Sequence, residues 1–274
     1  MGIGFIGAGN MGEALIKGIL KAQLASPHEI VITDASRMRR AELGDRYNVT
    51  VTESNSEAAA RSEVIILAVK PQIIHGVLQE IHDSADLSGK LLISIAAGVR
   101  LSSLRACLTQ DARIIRVMPN TPALVLEGMT AICSDGASQE DLAVTERIFS
   151  AVGKVAVVGE NLIDAVTGLS GSGPAYVAVM IEALSDGGVL MGLPRKTAQE
   201  LALQTVLGTA RLLMDAQYHP AVLKDMVSSP AGTTIQGIHA LEKGGLRACL
   251  MEAVRSATVR SKELGQGEPA CPGR

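Results

Sequence analysis

Short runs of Val, Ile and Leu, interleaved with helix-like stretches, occupy the chain from Ile3 to Gly159. This alternation restricts the possible folds more than any other feature. IGFI (3–6), EIVITD (29–34), VIILAV (64–69), LLISIA (91–96), RIIRVM (113–118), MTAIC (129–133) and KVAVVG (154–159) read as strands. They are apolar at successive positions, as strands covered by helices on both faces must be. Strands alternating with helices of ten to fifteen residues imply parallel βαβ units. The expected class is therefore α/β: a mostly parallel, doubly wound sheet of Rossmann type, over residues 1–163.

Beyond LSGSGPAYV (169–177) the strands stop. Residues 174–191, 195–216, 220–227, 233–243 and 246–264 read as helices, giving an all-α second domain over 164–265 and a disordered tail over 266–274. PAYVAVMIEALSDGGVLMG is apolar almost all round. Such a helix has to be covered, and a domain of this size offers too little core, so a subunit interface is expected.

Composition excludes several classes. The net charge is -3, with no Trp, 2 Phe and 3 Tyr. Such a chain has no basic excess to neutralise phosphates and few rings to stack on bases, so nucleic acid is not expected as a partner. The four Cys are far apart with no CxxC, and the five His form no HExxH. No metal site and no disulfide framework are expected, and a reducing, cytoplasmic setting follows. No run approaches the ~18 apolar residues of a membrane span. The start has no basic n-region of a signal peptide.

The chemistry begins at Gly7-Ala8-Gly9-Asn10-Met11-Gly12, a GxGxxG between the strand IGFI and the helix NMGEALIKGILKA. In that context Gly7 allows the tight turn, Gly9 lets backbone approach a pyrophosphate, and Gly12 lets helix pack on strand. The helix N-terminus then offers free N–H groups to phosphate. Asp34 ends the second strand 22 positions after Gly12, where an acid accepts from ribose hydroxyls and favours NAD. Ser36, Arg37, Arg39 and Arg40 follow it; an arginine there holds a 2′-phosphate, unless the cluster is only a solvated helix face. NADPH and NADH both stay open. AVKPQ (68–72) ends the fourth strand at the ligand edge. Lys70 there reads either as a base, which requires burial, or as a positioning or surface residue. In MPNTPALV (118–125), Asn120 stands in a loop stiffened by two prolines, within reach of a cofactor amide.

One stretch remains unexplained by packing. SSPAGTT (228–234) puts hydroxyls and bare backbone at the start of the helix 233–243. Ser229 and Thr233 read either as ordinary caps or as ligand contacts.

Taken in order, GFIGAGNMGEAL, AVKPQ, SIAAGV, MPNTPALV, LSGSGPAYV, LKDMVSSPAGTTI and GLRACLMEAV closely resemble the pyrroline-5-carboxylate reductase family from about residue 2 to 265. LSGSGPAYV followed by SSPAGTTI is the specific part. The resemblance implies an NAD(P)H-dependent oxidoreductase of proline biosynthesis, a homodimer interlocked through its C-terminal helices, or a ring of such dimers. It implies cofactor contacts at Ile6, Gly7, Ala8, Gly9, Asn10, Met11, at the position of Asp34, and at Asn55, Ala68, Val69, Lys70, Pro71, Ile95, Ala96 and Ala97. It implies substrate contacts at Ser229, Gly232, Thr233, Thr234 and Glu160, with Thr234 on the ring nitrogen. Two departures stand out: Asp34 replaces a small hydroxyl residue, and Ala231 replaces a second glycine. On this reading the N–H groups of Gly232, Thr233 and Thr234 hold the carboxylate of a cyclic imine. Pro230 fixes the entry to the helix. Thr234 orients the imine for hydride transfer.

Two rivals carry their own signatures. A β-hydroxyacid dehydrogenase resembles this chain in fold but carries a catalytic lysine on the long interdomain helix, and residues 174–191 contain none. A non-catalytic dinucleotide sensor would bind the cofactor without consuming it.

Overall fold

The computed structural model describes residues 1–108, 113–133 and 135–266, excepting the Gln266 side chain. Two compact units emerge: Met1–Ser172 with residues 256–266, and Gly173–Arg255.

The first unit is built on β1 (Ile3–Ile6), β2 (Ile30–Thr33), β3 (Thr50–Val51), β4 (Val64–Leu67), β5 (Leu91–Ser94), β6 (Arg113–Met118), β7 (Gly128–Cys133) and β8 (Gly153–Val158), in the order β3-β2-β1-β4-β5-β6-β7-β8. Its helices are α1 (Asn10–Lys21), α2 (Arg37–Tyr47), α3 (Asn55–Ala60), α4 (Ile74–Ser84), α5 (Leu101–Ala106), α6 (Gln139–Ser150) and α7 (Ile163–Val166), which runs into a wide turn at Thr167–Gly171.

The period of two in each strand divides the core between the sheet faces. Ile3 and Phe5 of β1, Val64 and Ile66 of β4, and Leu91 and Ile93 of β5 pack with α1, α2 and α6 through Leu15, Ile16, Leu43 and Phe149. The alternate residues Ile6, Ile65, Leu67 and Leu92 pack with α4 and α5 through Ile74, Leu78, Ile81 and Leu104. Each such side chain, when fully buried, contributes about 1.5–3 kcal/mol. Serine caps start several helices: Ser36 accepts from the Arg39 N–H, Ser54 from that of Glu57, and Ser138 from that of Asp141.

The expected strands are all present, with ends shifted by one or two residues. One was not anticipated: β3 is only two residues long, too short to leave a periodic signal. The expected parallel pattern breaks once, because β6 and β7 are antiparallel (Val117 opposite Ile132). The link between them, residues 119–127, holds only a 3-10 segment at Thr121–Val125. A parallel crossover needs about a dozen residues or more. β8 then pairs parallel to β7.

The second unit holds α8 (Gly173–Leu190), α9 (Arg195–Ala216), α10 (Pro220–Met226), α11 (Thr233–Lys243) and the start of α12 (Leu246–Gln266). Among its described residues only Ser185, Ala198 and Ala202 are buried. Val179 (64 % exposed), Leu190 (84 %) and Leu207 (63 %) face outward. The cover expected over α8 is therefore only partly supplied within its own unit. The tail expected over 266–274 lies, from residue 267 on, outside the described residues.

Candidate active site

Strands β1 to β6 are mutually parallel, so their carboxyl ends reach one edge of the sheet. The segments 6–12, 34–37, 68–71, 95–97 and 119–120 follow β1, β2, β4, β5 and β6, and Asn55 opens α3 after β3. One edge thus gathers every sequence-predicted cofactor residue. The order reverses between β1 and β4, and crevices for ligands form at such switch points.

The glycine loop has the shape its motif requires. Gly7 has φ +87°, and a Cβ there would stand 2.6 Å from the Ala68 carbonyl oxygen. A Cβ on Gly12 would stand 3.1 Å from the Gly7 carbonyl oxygen, so α1 packs tightly on the turn. Around Gly9 nothing lies within 4 Å. Gly9 is also the N-cap of α1, with no side chain bonded to the helix start. Open space beside exposed backbone, at the unshielded N-terminus of a twelve-residue helix, fits a pyrophosphate. These residues therefore fit a nicotinamide dinucleotide.

The residues after β2 have more definite roles than the sequence suggested. Asp34 Oδ2 accepts from the Ala8 N–H at 2.8 Å, and Oδ1 from the Ser36 N–H at 2.9 Å. Arg39 is no solvated arginine: its Nε donates to the Ala8 carbonyl oxygen at 2.8 Å, and its guanidinium pairs with Glu13 and Glu42. Arg40 is buried, donates to the Asp34 carbonyl oxygen at 2.6 Å and pairs with Glu53. Arg37 alone of the three is exposed and has no hydrogen-bond or ion-pair partner among the described residues. Sequence spacing could not reveal the Arg39 contact, since its partner lies 31 positions away.

Other expectations change on contact with the geometry. Lys70 is exposed at the start of a 3-10 turn, without the burial a lysine base requires, so the positioning or surface reading holds. Val69 and Ile95 are half-buried, Ala96 is buried and Ala97 is exposed. Asn55 donates to Glu80 at 2.8 Å. Asn120 was expected to reach a cofactor amide; instead its carbonyl accepts from the Met129 N–H at 2.8 Å and its amide donates to Ser170 at 3.1 Å. Both ends of that side chain are used to hold the β6–β7 link. Glu160 was expected beside the substrate. It accepts from the Leu101 N–H at 2.6 Å, capping α5, and pairs with the buried Arg116 at 3.3 Å. It follows β8, and these bonds hold it beside the segment that follows β5.

In the second unit, SSPAGTT forms a turn and then a helix start. The Gly232 N–H donates to the Ser229 carbonyl at 3.0 Å, closing a β-turn with Pro230 second and Ala231 third. Ala231 has φ +56°, the positive value a type II turn demands at that place. Pro230 thus fixes the entry to α11 through this turn, two residues before the helix N-cap. The N-cap of α11 is Gly232, and no side chain caps the helix. The capping role open to Ser229 and Thr233 is therefore not the one they play. The Gly232 N–H, expected to hold a carboxylate with those of Thr233 and Thr234, is spent on this turn, and Thr234 is half-buried at the helix start.

Among the described residues no group of His, Cys, Asp and Glu has the form of a metal site. No helix among them is long and apolar enough to cross a membrane. Cys133 and Cys249 are free thiols.

Comparison with known proteins bears on both halves. The family model described as pyrroline-5-carboxylate reductase dimerisation matches residues 160–264, and that of NADP oxidoreductase coenzyme F420-dependent matches residues 2–98. The pyrroline-5-carboxylate reductase of Synechocystis is 52% identical over 265 residues, covering 96% of this chain and 98% of its own. That of Escherichia coli is 42% identical with the same coverage. Among solved structures, a pyrroline-5-carboxylate reductase from Coxiella burnetii superposes with TM-score 0.89 at 37% identity, covering 96% of this chain and 97% of its own. A Plasmodium falciparum pyrroline carboxylate reductase with NADP bound superposes with TM-score 0.87 at 35% identity, covering 97% and 98%.

Proposed function

The chain belongs to the pyrroline-5-carboxylate reductase family, and from that premise we propose how its own residues divide the work. It is an NAD(P)H-dependent oxidoreductase that reduces the C=N bond of 1-pyrroline-5-carboxylate to give L-proline. It self-associates and acts on a small molecule.

The bound dinucleotide supplies the hydride that the imine carbon accepts. The segment Ile6 to Gly12 holds the pyrophosphate at the start of α1, with Asp34 and Arg37 around the adenosine ribose. Ala68 to Pro71 and Ile95 to Ala97 line the same edge, joined by Asn55. Asn120 acts by positioning the β6–β7 link.

The observation that carries the substrate assignment is the uncapped start of α11. Gly232 leaves the first N–H groups of the helix without a side-chain partner. A helix N-terminus of this kind stabilises an anion, here the substrate carboxylate. Ser229 adds a hydroxyl. Thr234 orients the ring nitrogen and assists delivery of its proton. A neutral hydroxyl is a poor general acid, so the contribution is positioning and electrostatics rather than acid catalysis. α8 has no lysine, the base an alcohol substrate would need, which disfavours the hydroxyacid dehydrogenase reading.

The apolar residues that the second unit leaves exposed favour a homodimer, or a ring of dimers, with residues 164–265 as the associating domain. The slight net negative charge and scarcity of aromatic rings favour neither nucleic acid nor an anionic membrane surface as a partner, and a cytoplasmic setting fits.

The direct test is loss of NADPH or NADH absorbance when the purified protein meets 1-pyrroline-5-carboxylate. Rapid oxidation that depends on the imine is expected. Folded protein that binds dinucleotide but oxidises neither would overturn the assignment in favour of a different imine or a non-catalytic sensor.

A further inference from the structure

We infer that this chain discriminates in favour of NADH and that Asp34 is the residue that does so, an inference that rests on the dinucleotide reading of the glycine loop. Three observations carry it. First, the Asp34 carboxylate is held in place from both sides by the N–H groups of Ala8 and Ser36, so it cannot swing away from an incoming phosphate. Each oxygen keeps a lone pair for a ribose hydroxyl, and a carboxylate offers no donor to a phosphate. Second, the Ser36 N–H that would otherwise bind a 2′-phosphate is already spent on Asp34. Third, two of the three nearby arginines are consumed inside the fold. Arg39 is spent on the Ala8 carbonyl and two glutamates, and Arg40 on the Asp34 carbonyl and Glu53.

Against these stand Arg37 and the N-terminus of α2. Arg37 is exposed at the first position of that helix, a long side chain screened by solvent and salt. A fixed acid facing a phosphate dianion outweighs it, since like-charge juxtaposition in a binding site is worth about tenfold in affinity or more.

Direct binding tests this without relying on turnover. Titrations of the full chain with NADH and NADPH, and with ADP-ribose and its 2′-phosphate, are expected to favour the unphosphorylated member of each pair by about tenfold or more. Asp34→Asn keeps an acceptor for Ala8 but removes the charge. The Ser36 N–H then loses its acceptor, so a slightly lower melting temperature is expected, and the preference should shrink by about fivefold or more. Arg37→Ala should weaken only the phosphorylated ligands. Equal or tighter binding of NADPH by the unaltered chain overturns the preference while leaving the dinucleotide reading intact. An unchanged ratio in Asp34→Asn removes Asp34 as its cause. Binding of none of the four ligands overturns the dinucleotide reading and the inference together.

Discussion

Arg39 Nε donates to the carbonyl oxygen of Ala8 at 2.8 Å, tying the start of α2 to the middle of the glycine loop. The N–H of the same Ala8 is held by Asp34, so both polar groups of one peptide-flanking residue are anchored by side chains from the segment after β2. A loop that must present bare backbone to phosphate is thereby kept rigid by groups outside it.

Removing the tie should cost both stability and binding. Arg39→Ala is expected to lower unfolding free energy by about 1.5–3 kcal/mol, the range for hydrogen bonds to charged groups. It should also weaken dinucleotide binding by roughly tenfold. Arg39→Lys should not restore the loss, because one ammonium cannot match a planar fork bonded to several acceptors. Urea unfolding and a cofactor titration measure the two effects separately.

Glu13 gives the same cluster a pH dependence. Burial pushes its carboxyl up, but hydrogen bonds from Arg39, Tyr47 and Arg46 outweigh this and hold it below its ordinary value of 4.5. A group with a depressed folded pKa contributes stability that is complete above its unfolded value and fades as pH falls through the folded one. Stability should therefore drop below about pH 4.5. Glu13→Gln should flatten that acid limb while lying below the unaltered chain at pH 7. Parallel acid limbs in the two proteins would show that the cluster does not contribute.

Ala231 holds a left-handed conformation that costs an L-residue about 1–2 kcal/mol. Glycine removes this strain but adds unfolded-chain entropy worth about 0.4–1 kcal/mol. Ala231→Gly should therefore stabilise by a net of about 0.5–1 kcal/mol, with turnover retained. Ala231→Val should destabilise, because a branched Cβ suits that region least. Thermal unfolding of the three proteins checks the order.

Thr234 is assigned to the reacting ring rather than to the helix. Thr234→Ala should cut turnover by roughly tenfold or more with cofactor binding near normal. Thr234→Ser should recover most of the rate. Unaltered kinetics in the alanine variant would remove the assignment; loss of cofactor binding would point to a structural role instead.

What was legible in the sequence was whatever depends on near neighbours. Runs of Val, Ile and Leu identify strands because a covered strand is apolar on both faces. The order of strands and helices and the change of character near Leu169 follow from that periodicity. GxGxxG is legible because Gly7 and Gly12 answer to close contacts that any such turn creates. The Ser-Pro-Ala-Gly turn was equally local, and Pro at its second place was a readable signal for it.

Only the tertiary structure decided the rest, because it depends on partners far apart in the chain. Asn120 is engaged by Ser170, 50 positions on, and Glu160 by Leu101 and Arg116, 59 and 44 positions back. Neither pairing leaves a trace in spacing, so both residues looked available for ligand. Arg39 and Arg40 stood open between a 2′-phosphate contact and a solvated face until Ala8, Glu13 and Glu53 came within bonding distance. The reversal at β7 likewise follows from how far a short link can reach. Sequence determines which groups a chain carries; folding decides which are spent on the chain itself and which, like the Gly232 helix start, are left for a ligand.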